Sequence, residues 1–158
     1  MIGGFLDFEA DLEKYKGYWE ALEEAGIPRD ETLEVMEGRW DDLVRLMEEK
    51  RATAMIVNGP EAWEQVLKEI VQKKYKIPQD FSLVLSGLGM DYEASNIRQL
   101  LNVEEITRLE IPDYEMGVQA AGYLFRQLSE SGDKEEPPEH LVPMHFVLGD
   151  SCRDLNSL

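Results

Sequence analysis

The sequence predicts an α/β fold in which a mainly parallel sheet is flanked by helices. Two short apolar runs, residues 54–57 and 82–85, lack alternation and are typical of strands buried on both faces. Between them, apolar residues recur at spacings of three and four and predict a helix: Ala62, Val66, Leu67, Ile70 and Val71. Pro60 suits the first helical position, and Pro78 stops the helix. Strand, helix and strand over roughly 30 residues form a βαβ unit.

The segments before this unit predict two helices and two short extended pieces. Residues 1–5 read as the tail of a strand, and residues 33–36 as a second short strand. A helix is predicted over residues 9–25, because Leu12, Tyr15, Trp19 and Leu22 form one stripe and Gly26 terminates it. Asp41 can cap a further helix that runs through residue 48.

The segments after the unit predict further alternation of helix and strand. Residues 88–91 and 131–140 read as loops, 92–101 as a short helix, and 106–111 and 142–148 as extended. Pro112 and Asp113 begin the clearest helix of the chain. One apolar face of this helix contains Tyr114, Gly117, Val118, Ala121, Leu124, Phe125 and Leu128.

Composition indicates one soluble domain without nucleic-acid contacts of its own. The 158 residues include 33 acidic and 16 basic side chains, and the net charge of −17 opposes binding to polyphosphates. No apolar run is long enough for a membrane span, and the N-terminus lacks the pattern of a signal peptide. The single Cys152 favours a reducing compartment, so we expect a cytoplasmic protein.

The ends of the two central strands are the expected place for a ligand. On parallel sheets, ligands bind beyond the carboxyl ends of the strands. Asn58 and Gly59 follow the first strand, and Ser86 and Gly87 close the second. A binding site is therefore predicted at this edge.

Several segments, occurring in the same order and at suitable spacing, resemble the sensor domain of LacI/GalR-type bacterial transcription regulators. Some GntR-type regulators also carry this domain. The similarity covers nearly the whole chain, and its residues are Lys16–Leu22 with Gly26 and Ile27, Thr53–Asn58 with Ala62, Ile77–Val84, Ile106–Leu109, Pro112, Gly117, Ala120, Ala121 and Leu124, and Val142 through Ser151.

This resemblance implies part of a type I periplasmic-binding-protein fold, in which two flavodoxin-like subdomains close over a small ligand. The chain then corresponds to the C-terminal part of the sensor, without a counterpart for the DNA-binding helix-turn-helix and for most of the first subdomain. Residues 1–105 and 140–151 would form the C-terminal subdomain, whereas the helix at 112–130 belongs to the absent one. An unpartnered apolar face of that size marks an interface, so a homodimer or a rearranged helix is expected.

The resemblance and the chemistry together point to three ligand-binding candidates. Asn58 matches an Asn of the family and supplies both a donor and an acceptor, although it could simply close a turn. Lys14 lies where the family has a sugar-binding Arg, and a solvated lysine is the alternative. Trp40 follows a turn where some members carry an aromatic that stacks on a sugar, or it packs on its own helix.

Other features depart from the family or exclude further chemistry. Gly59, Gly87 and Gly149 stand where the family usually has polar or charged side chains, which puts sugar binding in question. His140 and His145 lack the spacing of a metal site, and no cofactor motif is present.

The function predicted is therefore non-covalent sensing of a small polar effector, often a sugar in this family, without catalysis. A dimerisation module with a degenerate site is the first alternative. A flavodoxin-like enzyme is the second, and it would require clustered carboxylates in a cleft.

Overall fold

The structure is a computed structural model that describes residues 1–4, 9–36, 38–49, 52–88, 95–129 and 141–154. Its helices are α1 (Glu9–Glu24), α2 (Trp40–Glu49), α3 (Pro60–Lys73), α4 (Ser95–Leu101) and α5 (Asp113–Ser129), with a 3-10 turn at Glu31–Leu33. Its strands are β1 (Ala54–Asn58), β2 (Ser82–Leu88), β3 (Arg108–Glu110) and β4 (His145–Val147).

The strands form one sheet in the order β1-β2-β3-β4. β1, β2 and β3 are parallel, and β4 pairs antiparallel with β3. Beyond β1, Ile2 makes parallel bridges to both Val57 and Val35, so the first residues extend the sheet at that edge. The predicted α/β class with a mainly parallel sheet is confirmed.

Helix α3 packs on β1 and β2 and forms the central βαβ unit with them. Its buried residues are Ala62, Trp63, Val66 and Ile70. The predicted stripe was wrong at two positions, because it omitted Trp63 and included Val71, which is 47% exposed. At 3.6 residues per turn, a face centred between Val66 and Ile70 contains Trp63 and excludes Val71.

The central strands are covered unequally on their two faces. Met55, Val57, Leu83 and Leu85 are buried, whereas on the other face Ile56, Ser82 and Val84 are half-buried and Ala54 is exposed. The prediction of strands buried on both faces was therefore wrong for this chain. The sequence pattern does not distinguish an apolar residue on a half-buried face of a strand from one on a fully buried face.

Three predicted extended segments are shorter than expected, and the segment predicted at 106–111 is a strand only at Arg108–Glu110. In the segment 33–36, only Val35 bridges to the sheet, and Leu33 ends the 3-10 turn. Asp30 caps that turn by accepting from the Thr32 backbone N–H at 2.9 Å, which delays extension of the chain. The last strand covers residues 145–147 instead of 142–148, because its partner β3 has only three residues. The predicted loop at 131–140 and residues 89–94 lie outside the described residues.

The C-terminal segment is tied into the base of the sheet by Ser151. Its buried hydroxyl donates to the Leu83 carbonyl at 2.7 Å and accepts from the Thr107 N–H at 2.9 Å. Asp150 accepts from the N–H groups of Glu105 (2.9 Å) and Glu104 (3.0 Å), and these bonds lower the pKa of the Asp150 carboxyl. Residues 150 and 151 thus hold the end of the chain against β2 and the start of β3.

In contrast, α5 and β4 are exposed. No residue of α5 is buried. The large apolar side chains exposed on these elements and beside them are Tyr114, Met116, Val118, Leu124, Phe125, Leu128, Leu141, Met144, Phe146 and Leu148. Among the helices in the described ranges, none is long and apolar enough to cross a membrane.

Candidate functional site

Asn58 ends β1 with its side chain buried at the carboxyl edge of the sheet, where 1% of the residue is exposed. Its backbone N–H donates to the Ile2 carbonyl at 2.8 Å, which fixes the residue against the first segment of the chain. A buried amide needs partners for both its oxygen and its nitrogen. Helix α1 supplies both of them.

Lys14 and Asp11 reach Asn58 from one face of α1. The Lys14 ammonium donates to Asn58 Oδ1 at 2.9 Å, and Asn58 Nδ2 donates to Asp11 Oδ1 at 2.8 Å. Lys14 and Asp11 also pair with each other at 3.4 Å. We call these three residues the rim cluster. The structure thus brings together two of the three predicted ligand-binding residues, Asn58 and Lys14.

The rim cluster has partial access to solvent. About a fifth of the Lys14 side chain (21%) and of the Asp11 side chain (19%) is exposed. One ammonium and one carboxylate therefore present donors and acceptors side by side at the edge where the strands end, over the buried amide of Asn58. Such a set can bind a small ligand that both donates and accepts hydrogen bonds, such as a hydroxyl.

Two glycines lie against the rim cluster. A Cβ added at Gly87 would lie 3.1 Å from Asn58 Oδ1 and 3.2 Å from Lys14 Nζ. Gly87 has a φ of +75° and sits where the β2–β3 register shifts, which is the usual position of glycine in a bulge. A Cβ at Gly4 would be 2.7 Å from Asn58 Nδ2. The contacts of Asn58 therefore depend on the absence of side chains at these positions.

Tyr15 anchors α1 next to the rim cluster. It is fully buried, and its hydroxyl donates to the Gly3 carbonyl at 3.0 Å. Burial, helped by the nearby charge of Glu34, raises the pKa of Tyr15 well above its ordinary value. The hydroxyl consequently keeps its proton and remains a donor.

Trp40 is not joined to the other two candidates by a hydrogen bond in the described part of the chain. It is the first residue of α2, half-buried, and packs against the hydrophobic core. No hydrogen bond or ring contact joins its side chain to Lys14 or Asn58 within the described ranges. Its role in ligand stacking stays a prediction.

Asp11 is the residue that the sequence reading missed. Its only signal was a position three residues before Lys14, which places both side chains on one face of a helix. In a chain with 33 acidic residues, that spacing could not distinguish it from solvated surface.

Gly149 and Gly59 also stand where the family usually has polar or charged side chains, and they differ in the space available for a side chain. A Cβ at Gly149 would lie 2.2 Å from the Glu105 carbonyl oxygen, so the backbone leaves no place for a side chain. Gly59 has open space around it but a φ of +88°, which strains any other residue. Within the described ranges, no three His, Cys, Asp or Glu side chains are grouped to hold a metal ion.

The profile of the periplasmic binding protein-like domain matches residues 2–152. The chain therefore belongs to this family. No curated protein matches its sequence.

Among solved structures, the fold is similar to transcription regulators. CcpA of Lactococcus lactis shares 26% identity with a TM-score of 0.71, over 96% of this chain and 54% of CcpA. The regulator CelR, in complex with cellobiose, shares 22% with a TM-score of 0.72, over 95% of this chain and 45% of CelR. A Bacillus cereus subsp. cytotoxis protein described as a LacI transcriptional regulator shares 19%, with a TM-score of 0.74 over 96% and 53% of the two chains. The chain thus spans about half the length of these structures.

We predict that Gly87→Ala lowers the free energy of unfolding by about 1 kcal/mol or more, because the new Cβ combines a strained φ with contacts to Lys14 and Asn58. Gly122→Ala is the matched control, since this glycine lies in α5 outside the apolar face and an added Cβ would have ordinary contact, at 3.9 Å, with Arg126 Nη1. It should raise the free energy by about 0.5–1 kcal/mol. Urea unfolding measures both changes, and equal effects would contradict the role given to Gly87.

Proposed function

We propose that this chain is the effector-sensing part of a bacterial transcription regulator and that it binds a small polar ligand, of the sugar class, without catalysing a reaction. The observation that carries the proposal is the rim cluster at the carboxyl edge of a parallel sheet. Family membership supports it, as does the resemblance to LacI/GalR-type sensors. Among the structural neighbours, CelR is a regulator in complex with cellobiose.

The chemistry of the rim cluster supports a hydroxylated ligand. Lys14 has donors only, Asp11 has acceptors only, and Asn58 has both. One sugar hydroxyl can accept from Lys14 and donate to Asp11 at the same time, because a hydroxyl is both donor and acceptor. Trp40 would cover an apolar sugar face if the ligand extends that far.

The mechanism would be a shift of population between open and closed arrangements of two subdomains. A ligand that contacts both subdomains favours the closed form, and closure alters the geometry of a dimer and so its affinity for DNA. DNA contact would be made by a helix-turn-helix outside this chain, because a net charge of −17 opposes direct contact. Such a regulator acts in the cytoplasm and needs no cofactor.

The division into subdomains is also a proposal, and the distribution of burial supports it. We assign residues 1–105 and 140–151 to one subdomain, in which α3, β1 and β2 build the core. The helix at 112–130 would belong to the other subdomain, since none of the described residues of α5 is buried. Ser151 lies back at the base of the core.

The exposed apolar face of α5 supports a homodimer of this chain. In a molecule of net charge −17, residues 113–129 contain only Asp113, Glu115 and Arg126 as charged residues. Two copies can therefore bring this face together without opposing many like charges.

A dimerisation module with a degenerate ligand site is the second candidate. It is favoured by the bonds of Asn58, whose amide oxygen and nitrogen already have partners in Lys14 and Asp11. Gly59, Gly87 and Gly149 also leave the site without the polar side chains that the family usually places there.

Thermal shift across a panel of mono- and disaccharides distinguishes the two candidates. A sugar at 100 times its Kd should stabilise the chain by about 2.7 kcal/mol and raise Tm by about 5–10 °C. Lys14→Met should then weaken binding of that sugar by about tenfold or more, measured by calorimetry, because a charge-assisted hydrogen bond is lost.

Lys68→Met on the exposed side of α3 is the control and should bind like the original chain. If no sugar in the panel stabilises the chain, sugar sensing is wrong and the dimerisation module is favoured. If Lys14→Met binds as tightly as Lys68→Met, the rim cluster is not the site.

Light scattering coupled to gel filtration tests the homodimer. We expect a dimer for the original chain and a monomer for Phe125→Glu, because the substitution places a charge in the apolar face of α5. Val71→Glu introduces the same charge at an exposed position of α3 and should leave the dimer intact. A monomeric original chain would contradict the dimer.

A further inference from the structure

We propose that Trp19, Arg29 and Glu34 form a clamp that sets the position of α1 and thereby the contact between Lys14 and Asn58. These three are positioning residues, because they would act on the ligand site through the helix and not by touching a ligand. As far as ligand affinity is concerned, this inference rests on the proposed function.

Helix α1 contributes few apolar side chains to the packed interior. Only Tyr15 of its 16 residues is buried. In the described part of the chain, the main hydrophobic core and the half-buried residues packed on it include no residue of α1. The position of the helix therefore depends on polar contacts to an unusual degree.

The clamp consists of an ion pair, hydrogen bonds and a cation–π contact at the C-terminal half of α1. The Glu34 carboxylate, 4% exposed, accepts from Arg29 Nε at 2.8 Å and from Arg29 Nη2 at 3.0 Å. Trp19 Nε1 donates to the same carboxylate at 3.1 Å, and the Arg29 guanidinium lies 3.9 Å from the centre of the indole ring. Bidentate pairing and stacking on an aromatic ring make this geometry specific for arginine.

The clamp connects α1 to the sheet. Glu34 precedes Val35, whose N–H donates to the Met1 carbonyl at 3.0 Å and whose carbonyl accepts from the Gly3 N–H at 2.7 Å. Trp19 follows Lys14 by five residues, about 7.5 Å along the helix. The clamp thus holds one part of α1, and the bonds of Asn58 to Asp11 and Lys14 hold another.

Loss of the clamp should therefore move α1 about the hydrogen bond between Tyr15 and Gly3 and displace Lys14 from Asn58. A residue that contributed only to global stability would instead loosen all elements together. The two roles differ in where the structure opens, and hydrogen exchange measures that difference.

Trp19→Phe keeps an aromatic ring and removes the N–H that Glu34 accepts. We expect exchange of the α1 amides to accelerate by about tenfold or more while α3 is unchanged, because a hydrogen bond to a charged group is lost. The side-chain amide NMR signals of Asn58 should shift. Arg29→Ala should have the same two effects.

Two controls separate the clamp from general destabilisation. Trp63→Phe makes the same replacement at a buried indole whose Nε1 has no partner in the described part of the chain. It should lower Tm through a core cavity and accelerate exchange of α3, in which it lies, at least as much as that of α1. Arg39→Ala removes a surface arginine that pairs with Asp42 on α2, and it should leave α1 and Asn58 unaffected.

Unchanged α1 exchange and Asn58 signals in Trp19→Phe and Arg29→Ala would overturn the proposal, and this decision requires no ligand. If a sugar binds the original chain, Trp19→Phe should weaken that binding; equal affinity despite faster α1 exchange would also overturn it. If no sugar binds, the proposed function fails separately, and the exchange and NMR results still decide whether the clamp positions Lys14.

Discussion

The side-chain amide of Asn58 joins the sheet to helix α1, which Tyr15 and the clamp hold at other points. It accepts from Lys14 and donates to Asp11, so the carboxyl edge of β1 is held to α1 by a buried polar group whose oxygen and nitrogen are both satisfied. Unmade hydrogen bonds at a buried amide are costly, which makes this arrangement specific. Gly4 and Gly87 leave the room it needs, and β2 bulges at that point.

The chain has one well-packed half and one exposed half. Helix α3 covers β1 and β2 around a core that contains Trp63, and Ser151 ties its own segment to β2. Helix α5 has no buried residue, and Phe146 of β4 is 62% exposed. These exposed elements are the surface that the proposed homodimer would cover.

Local patterns predicted the central βαβ unit because Pro60, Pro78 and two apolar runs mark it without tertiary information. These patterns gave wrong predictions where contacts with other residues determine the structure. Trp63 is buried because it lies on the face of α3 that packs against the sheet. Leu33 belongs to a 3-10 turn instead of a strand because Asp30 caps that turn. Strand ends and a family resemblance pointed to Asn58 and Lys14. The bond from Asn58 to Asp11 could not be predicted, since it joins residues 47 apart in sequence.

A double-mutant cycle between Lys14 and Asn58 tests the central claim most directly. The free energy of unfolding is measured for the original chain, Lys14→Met, Asn58→Ala and the double variant. Residues joined by this partly buried, charge-assisted hydrogen bond should show a coupling of about 1 kcal/mol or more, because the second substitution removes a contact that the first has already broken. Additive losses, with a coupling near zero, would mean that Asn58 does not hold α1 and would contradict the account of the site.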